Sequence, residues 1–490
     1  MKETLAASRA SCGRNASMPE TLAQSLSQLN DHVRQLIKQG EFKDALPLAA
    51  QALERARAEE GADSLAAADS LNNLANLYRE TGQYALAEQP YLEALKIKRA
   101  LLGKDHPEFA RSLNDLAVFY EAVGSYKQAE PVFQQALAIR KHALGEEHPD
   151  YAETLHDLAA LHESLGNLAQ AETLARGSLD IRKRTLGENH PEYAQSLHLL
   201  AGIYEWLGNY AAAEPLAHQA LAIRRQTLQP NHPLLAASLS TLVWLYGTQG
   251  NIAKAEPLAR QALEIRRHTL GERHPDYSNS LGHMAWIQGL QGNYAGAEPL
   301  ARQASAIIKE ALGENHRHYI SCLKIEAWLA TSQNKWTEAE QLYHRARSLV
   351  SNALGQEHVL YGIGLSDLGS CYRSQGNFTE AEPLLRQALE HLRRKAGQSH
   401  PQVAHALSDL ACLLGSQRNF TEALPLARQA VEICRRTFGE SHPNFAGSLQ
   451  YLAWLYQMMA DYASALPLYK QALEVIRVTP GEKHPFFVQS

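Results

Sequence analysis

Between Pro149 and His190 the apolar positions fall into two helical runs split by a glycine. Leu155, Leu158, Ala159 and Leu161 recur at three- and four-residue spacing, which puts them on one face of an amphipathic helix. Gly166-Asn167 breaks the run, since glycine accepts the left-handed backbone that closes a helix C-terminus. Ala171, Leu174 and Leu179 mark the inward face of a second helix that ends before Leu186-Gly187. His190-Pro191 opens the next unit, with proline at the first helical position, where its missing N–H costs nothing. The unit is helix–turn–helix.

The pattern returns every 42 residues without slippage. Ten histidines keep the count: His106, His148, His190, His232, His274, His316, His358, His400, His442 and His484. The turn position reads Gly40, Gly82, Gly124, Gly166, Gly208, Gly250 and Gly292, then Asn334, Gly376, Arg418 and Ala460. Five residues later alanine stands in all eleven units, from Ala45 to Ala465, and seven further on alanine returns except at Ser178. Small residues on a fixed face let two helices approach closely. Glutamate follows the first alanine in eight units, Glu88 to Glu382, and basic pairs such as Arg140-Lys141 and Arg224-Arg225 lie towards the end of the second helix. Both placements complement the helix dipole. A fixed period in this range predicts a solenoid, in which each unit stacks on its neighbours around one continuous core.

The string LNNLANLYRETGQYALAEQPYLEALKIKRALLGKDHP, from Leu71 to Pro107, resembles the tetratricopeptide repeat, specifically its 42-residue kinesin-light-chain type. The resemblance covers about residues 21–479 and recurs eleven times in register. It implies an all-α right-handed α-solenoid of about eleven stacked helix–turn–helix repeats, with the first helices lining a concave face. Residues 1–20 are expected to be a disordered tail carrying Cys12, and residues 480–490 the start of an incomplete twelfth repeat. The stub VTPGEKHPFFVQS after Arg477 suggests either a docked cap or a truncated longer protein.

Composition narrows the function. A net charge of −5 lacks the basic excess that phosphate-backbone binding needs, so nucleic acid is not expected. No apolar run approaches the roughly 18 residues of a membrane span. Five cysteines without a CxxC pair fit a reducing, cytoplasmic setting. No phosphate loop, GxSxG elbow or HExxH motif occurs. Cys412 and His405, two helical turns apart, are separated by roughly 10 Å and make no dyad. The clocked histidines sit one per layer, on the order of 10 Å apart, whereas zinc needs ligands about 2 Å from one point. His316-Arg317-His318 is the one place where a clocked histidine has a close second. Enzyme activity, a metal and a cofactor are therefore not expected, and the clocked histidines read as helix-entry residues.

Within the constant frame, the variable first-helix positions carry any function. By the resemblance, the concave sites lie six, nine and ten residues before the turn. Six before, Trp244, Trp286, Trp328 and Trp454 share one register, with Asn76 earlier in the same column and Gly247, Gly282 and Gly289 leaving space beside the rings. Tryptophan there suits a partner anchor, because it offers large apolar area with few rotamers to freeze. Packing between adjacent first helices is the alternative. Nine before, the column includes Asn73, Asp115, Asp157 and His283, and Glu121, Glu153, Glu163 and Glu205 neighbour it. The early groove is thus acidic and the middle aromatic. The partner-binding residues expected are Trp244, Trp286, Trp328, Trp454, His283, Asn73, Asn76, Asp115, Asp157, Glu121 and Glu163. Solvated charge on an ordinary helix face is the competing account of the acidic ones.

These features predict a protein-interaction scaffold that binds a protein or extended peptide, basic then apolar, in the groove. Two alternatives stay open: the sensing arm of a caspase-like protease or nucleotide-binding switch ATPase, and a kinesin-light-chain-like cargo adaptor. Repeat eight looks weakest, because Arg317 replaces proline, Asn334 replaces glycine, and Gly362 and Gly364 follow inside a helix. Residues 316–365 are the expected site of a bend or loosening.

Overall fold

The computed structural model describes residues 25–478, so the expected N-terminal tail with Cys12 and the stub from 480 lie outside the described residues. Those residues form eleven helix pairs. Repeat one pairs Leu26–Gln39 with Phe42–Glu59, repeat four pairs Pro149–Ser164 with Leu168–Leu186, and repeat eleven pairs Pro443–Met458 with Tyr462–Val478. Each first helix packs on its own second helix and on the second helix before it. Successive first helices also approach one another, whereas successive second helices are splayed, so the first helices form the inner curve of an α-solenoid.

Local chemistry fixes each unit as the pattern predicts. The turn glycines hold a left-handed backbone, as at Gly124 (φ 76°), and Asn334, Arg418 and Ala460 adopt the same conformation at φ 58–63°. The alanines five residues on are fully buried between helices from Ala45 to Ala423. The glutamate after each alanine does more than complement a dipole. It accepts hydrogen bonds from the next repeat, from Tyr120 at Glu88, Gln291 at Glu256 and Tyr372 at Glu340, 2.7–3.2 Å long.

The basic pairs also do more than face the helix end. The first member of each is buried: Lys98, Arg140, Arg182, Arg224 and Arg266 are at most 5% exposed. Each of the four guanidinium groups donates to a hydroxyl fourteen residues on, Thr154, Ser196, Ser238 and Ser280, at 2.7–2.9 Å. Arg140 is also paired with Glu153 at 3.0 Å. Arg224 meets only neutral oxygens, those of Leu234 and Ser238, and burial lowers its pKa to about 10. From repeat seven onward the same position is apolar, with Ile308, Val350, Leu392, Cys434 and Ile476. Its partner position changes in step to Cys322, Gly364 and Ala406, and returns to serine only at Ser448, opposite Cys434. The two halves of the array therefore solve one interface by opposite chemistry.

The largest departure from a nearest-neighbour stack is a seam between turns of the coil. From His106 to His442 each clocked histidine caps its helix, Nδ1 accepting the backbone N–H two residues on, as at His316 and His318 (3.2 Å). In repeats six to ten the Nε2 atom makes a second contact, with a main-chain oxygen 194 residues upstream. His232 reaches Lys38, His274 Glu80, His316 Ala122, His358 Ser164 and His400 Trp206, at 2.7–3.2 Å. These five histidines are buried, whereas His106, His148 and His190, which have no turn before them among the described residues, are only half-buried. Burial of an imidazole disfavours its charge, and His316 and His358 are pushed down to about 4.

The seam also explains the turn residues. A Cβ on Gly40 would lie 2.7 Å from Pro233 Cδ, and one on Gly208 would collide with Pro401. Among the described residues no atom lies within 4 Å of such a Cβ at Gly292 or Gly376. Asn334, Arg418 and Ala460 follow in the same later part of the array, where the left-handed turn is held without glycine.

Repeat eight is a tie rather than a loosening. Arg317 donates to Ser164 Oγ at 2.6 Å, 153 residues away in the turn below. Burial works against its charge, but Glu163, Tyr126 and Glu121 outweigh that and hold the guanidinium firmly protonated. Gly362 admits His391 and Leu392 at distances no Cβ would allow. The expected bend over 316–365 is replaced by close packing, because the irregular residues contact elements that no single repeat contains.

Candidate functional site

The seam sets the shape of the concave face. One turn of the coil takes close to five repeats, so five first helices ring the axis. At about 10 Å between neighbouring helices, their axes lie only about 8–9 Å from the centre. Side chains extend each helix to about 5–6 Å. A ring of that size would leave only about 3 Å of radius along its axis, narrower than an open groove.

The early channel is polar and cross-tied. Asn73 is buried and donates to Asn30 Oδ1 at 3.1 Å, and Asn76 accepts from Tyr91 at 2.6 Å. Asn72 donates to Asp115, and Asn114 to Asp157 at 2.6 Å, so each first helix hands a hydrogen bond to the next. Burial, with Glu153 adding, raises both carboxyls, Asp157 to about 7. Glu121 accepts from Ser164 at 3.0 Å, and Arg317 lies near both Glu121 and Glu163. Four of the expected acidic positions therefore already hold partners within the chain.

The middle of the channel is aromatic. The expected tryptophans occupy one column, and three of them lie flat on a glycine 39 residues earlier. A Cβ on Gly247 would collide with the ring of Trp286, one on Gly289 with Trp328 (2.5 Å), and one on Gly415 with Trp454 (2.7 Å). These three rings are half-buried between adjacent first helices. Trp244 differs. The residue 39 before it is Glu205, and Trp244 stays 38% exposed, stacked on Trp286 at 4.7 Å between centroids and 28° between planes. His283 faces this region with a buried Nδ1 that has no hydrogen bond, and burial beside Arg266 lowers its pKa to about 4.

Sequence reasoning missed Arg317, whose replacement of the repeat's proline was the available signal. It also missed that the column three residues before the turn changes from Glu121, Glu163 and Glu205 to Gly247 and Gly289. Both nitrogens of His316 are engaged, Nδ1 by a backbone N–H and Nε2 by Ala122. The His316-His318 pair (4.9 Å between rings) therefore has no free clocked nitrogen to offer a metal. No group of three or more potential ligands for a metal ion occurs among the described residues. Burial raises the Cys412 thiol, with Arg373 donating to Sγ at 3.6 Å. On the outer surface a cleft of about 520 Å³ is bordered by Arg386, Arg393 and Arg394, and Arg386 is already paired with Glu422 at 2.6 Å. No helix among the described residues is long and apolar enough to cross a membrane.

A coil of helix pairs around a side-chain-lined channel defines an α-solenoid repeat protein. The chain belongs to the tetratricopeptide repeat family, whose models match residues 67–108, 108–183, 158–205, 194–268, 254–310, 327–394, 360–435 and 402–477. Among solved structures it is similar to BtubC (BKLC) from P. vanneervenii, with 22% identity over 51% of this chain and 93% of that one (TM-score 0.36). It is also similar to Podosopora anserina repeats described as a kinesin light chain with nearly identical TPR-like repeats. That match has 30% identity over 41% of this chain and 94% of that one (TM-score 0.33). No curated protein matches the chain.

Proposed function

We propose that the protein is a non-catalytic, cytoplasmic interaction scaffold whose channel holds a narrow, extended segment of a partner protein. The observation that carries this reading is the change of the column three residues before the turn from Glu121, Glu163 and Glu205 to Gly247 and Gly289, each of which lies against a tryptophan of the next repeat, while the buried alanine seats stay constant. Glu205, at the end of the acidic column, favours a basic residue, and the tryptophans beyond Trp244 favour apolar ones. The narrowness of the channel selects an extended chain over a helix, whose diameter is about 10–12 Å.

A displayed library of random linear peptides, selected on the full chain and then photo-crosslinked, tests the proposal. Crosslinks on Trp244, His283 or neighbouring first-helix residues support it. Crosslinks confined to second helices, or no selectable peptide, overturn it.

A further inference from the structure

Glu205 and Trp244 form the one place in the inner columns where the chain leaves an acidic group and an aromatic face without their usual occupants. In the column of carboxylates, Glu121 has Ser164 and Arg317, and Glu163 has Arg317. Glu205 is half-buried, and burial together with the like charge of Glu163 raises its carboxyl well above the usual carboxylate range. In the tryptophan column, the other three rings lie on glycine. At Trp244 the position 39 residues earlier is Glu205 in place of glycine, and the ring has one face against Trp286 with 38% of the residue exposed. Gly202 occupies the tryptophan register one repeat earlier, and no atom lies within 4 Å of where its Cβ would stand. Space, an aromatic surface and a carboxyl without a cationic partner are therefore brought to the adjacent first helices Pro191–Trp206 and Pro233–Thr248.

The chain itself shows what such a carboxylate column accepts. Arg317, reaching across the seam, places a guanidinium beside Glu121 and Glu163 and bonds Ser164 between them. From this precedent we infer that Glu205 and Trp244 form a receptor for one cationic side chain, arginine or lysine, of the partner segment. An entering cation favours ionisation of the Glu205 carboxyl, which then supplies the countercharge, and the indole face supplies the cation–π surface that favours guanidinium and ammonium alike. Arginine gains more from this arrangement, because its plane can stack on the indole while its edge bonds Glu205. The inference rests on the channel reading above and names the residue that enters it first.

The test uses the full chain, ¹⁵N-labelled at the tryptophan indoles, with the Trp244 signal assigned through Trp244→Phe. The probe is an acetyl-Ala-Arg-Ala amide tripeptide, and its citrulline counterpart removes only the charge. A saturable shift of the Trp244 signal with the arginine probe is expected. It should weaken at least tenfold with citrulline and at least tenfold in Glu205→Gln, an isosteric change whose melting curve checks folding. The Trp328 signal, a seated ring in the same column, should not respond. Equal response to citrulline, or unchanged binding in Glu205→Gln, overturns the cation site. If library peptides crosslink in the channel but carry no basic residue there, the scaffold reading stands and this site falls. If the tripeptide binds while no library peptide does, the site stands and the scaffold reading falls.

Discussion

His400 Nε2 lies 2.7 Å from the carbonyl oxygen of Trp206, 194 residues earlier in the chain and one turn below it in the coil. Four other histidines repeat that relationship, so residues that look like local helix caps also hold successive turns together.

The double role can be separated within one molecule. His148 caps its helix but reaches no earlier turn, so His148→Ala should cost about 0.5–2 kcal/mol, the range for a lost cap. His316→Ala loses the cap and the cross-turn bond, and should cost about 0.5–1.5 kcal/mol more. Urea midpoints of the two variants check this, and equal values would remove the seam as a source of stability.

Alanine at the turns gives a second internal comparison. Gly376→Ala meets only the left-handed backbone penalty, about 1–2 kcal/mol, because no described residue faces it. Gly208→Ala meets the same penalty and also drives a methyl into Pro401, which adds about 1–3 kcal/mol. Thermal melts should rank Gly208→Ala well below Gly376→Ala.

The buried arginines should be replaceable, provided their partners change too. Ser238→Ala alone removes one of the two oxygens that satisfy Arg224, and should destabilise. Arg224→Leu with Ser238→Ala copies the Leu392 and Ala406 pair of the later repeats. It should be neutral or stabilising by about 1–4 kcal/mol, because a buried charge without a countercharge is removed. A double variant less stable than both singles would contradict this account.

Acid should open the seam. His316 and His358 have folded-state pKa values near 4, against about 6.5 unfolded. A depressed imidazole pKa means the unfolded chain binds the proton first. Stability from these groups is therefore complete above about pH 6.5 and is lost as pH falls towards 4. Arg317, beside both rings, and His391, near His358, add to the cost of protonation. Asp157, raised to about 7, works the other way, since the folded state takes up its proton before the unfolded chain does. X-ray scattering should show the coil lengthening between pH 6 and 4, and His316→Gln with His358→Gln should flatten that response.

How much of this could be read in advance depends on the distance over which each feature is decided. Helix limits, turn glycines and the alanine seats are settled within one 42-residue unit, and they were legible from a single repeat. The seam depends on curvature summed over five repeats, so nothing near His316 points to Ala122. Arg140 beside Lys141 looks like a solvated pair, and only the matched change to Ile308 and Cys322 betrays its burial. The seating of the tryptophans was partly visible, because Gly247, Gly289 and Gly415 each stand 39 residues before a ring. What makes Trp244 different, Glu205 at the same offset, carries no meaning until that offset is known to be a contact.

Because the His–carbonyl seam joins each of repeats six to ten to a repeat five places earlier, the array is less a string of units than a rolled sheet. In a string, a fault at one unit is felt by its two neighbours. In a rolled sheet it is also felt directly above and below. A unit of altered length would shift the histidines of the following turn off their carbonyls, although each helix pair would be intact, whereas loss of a whole 42-residue unit keeps the 194-residue offset. Repeat length should therefore be far less free to vary here than in an open solenoid, and the unbroken count of 42 is what that constraint requires.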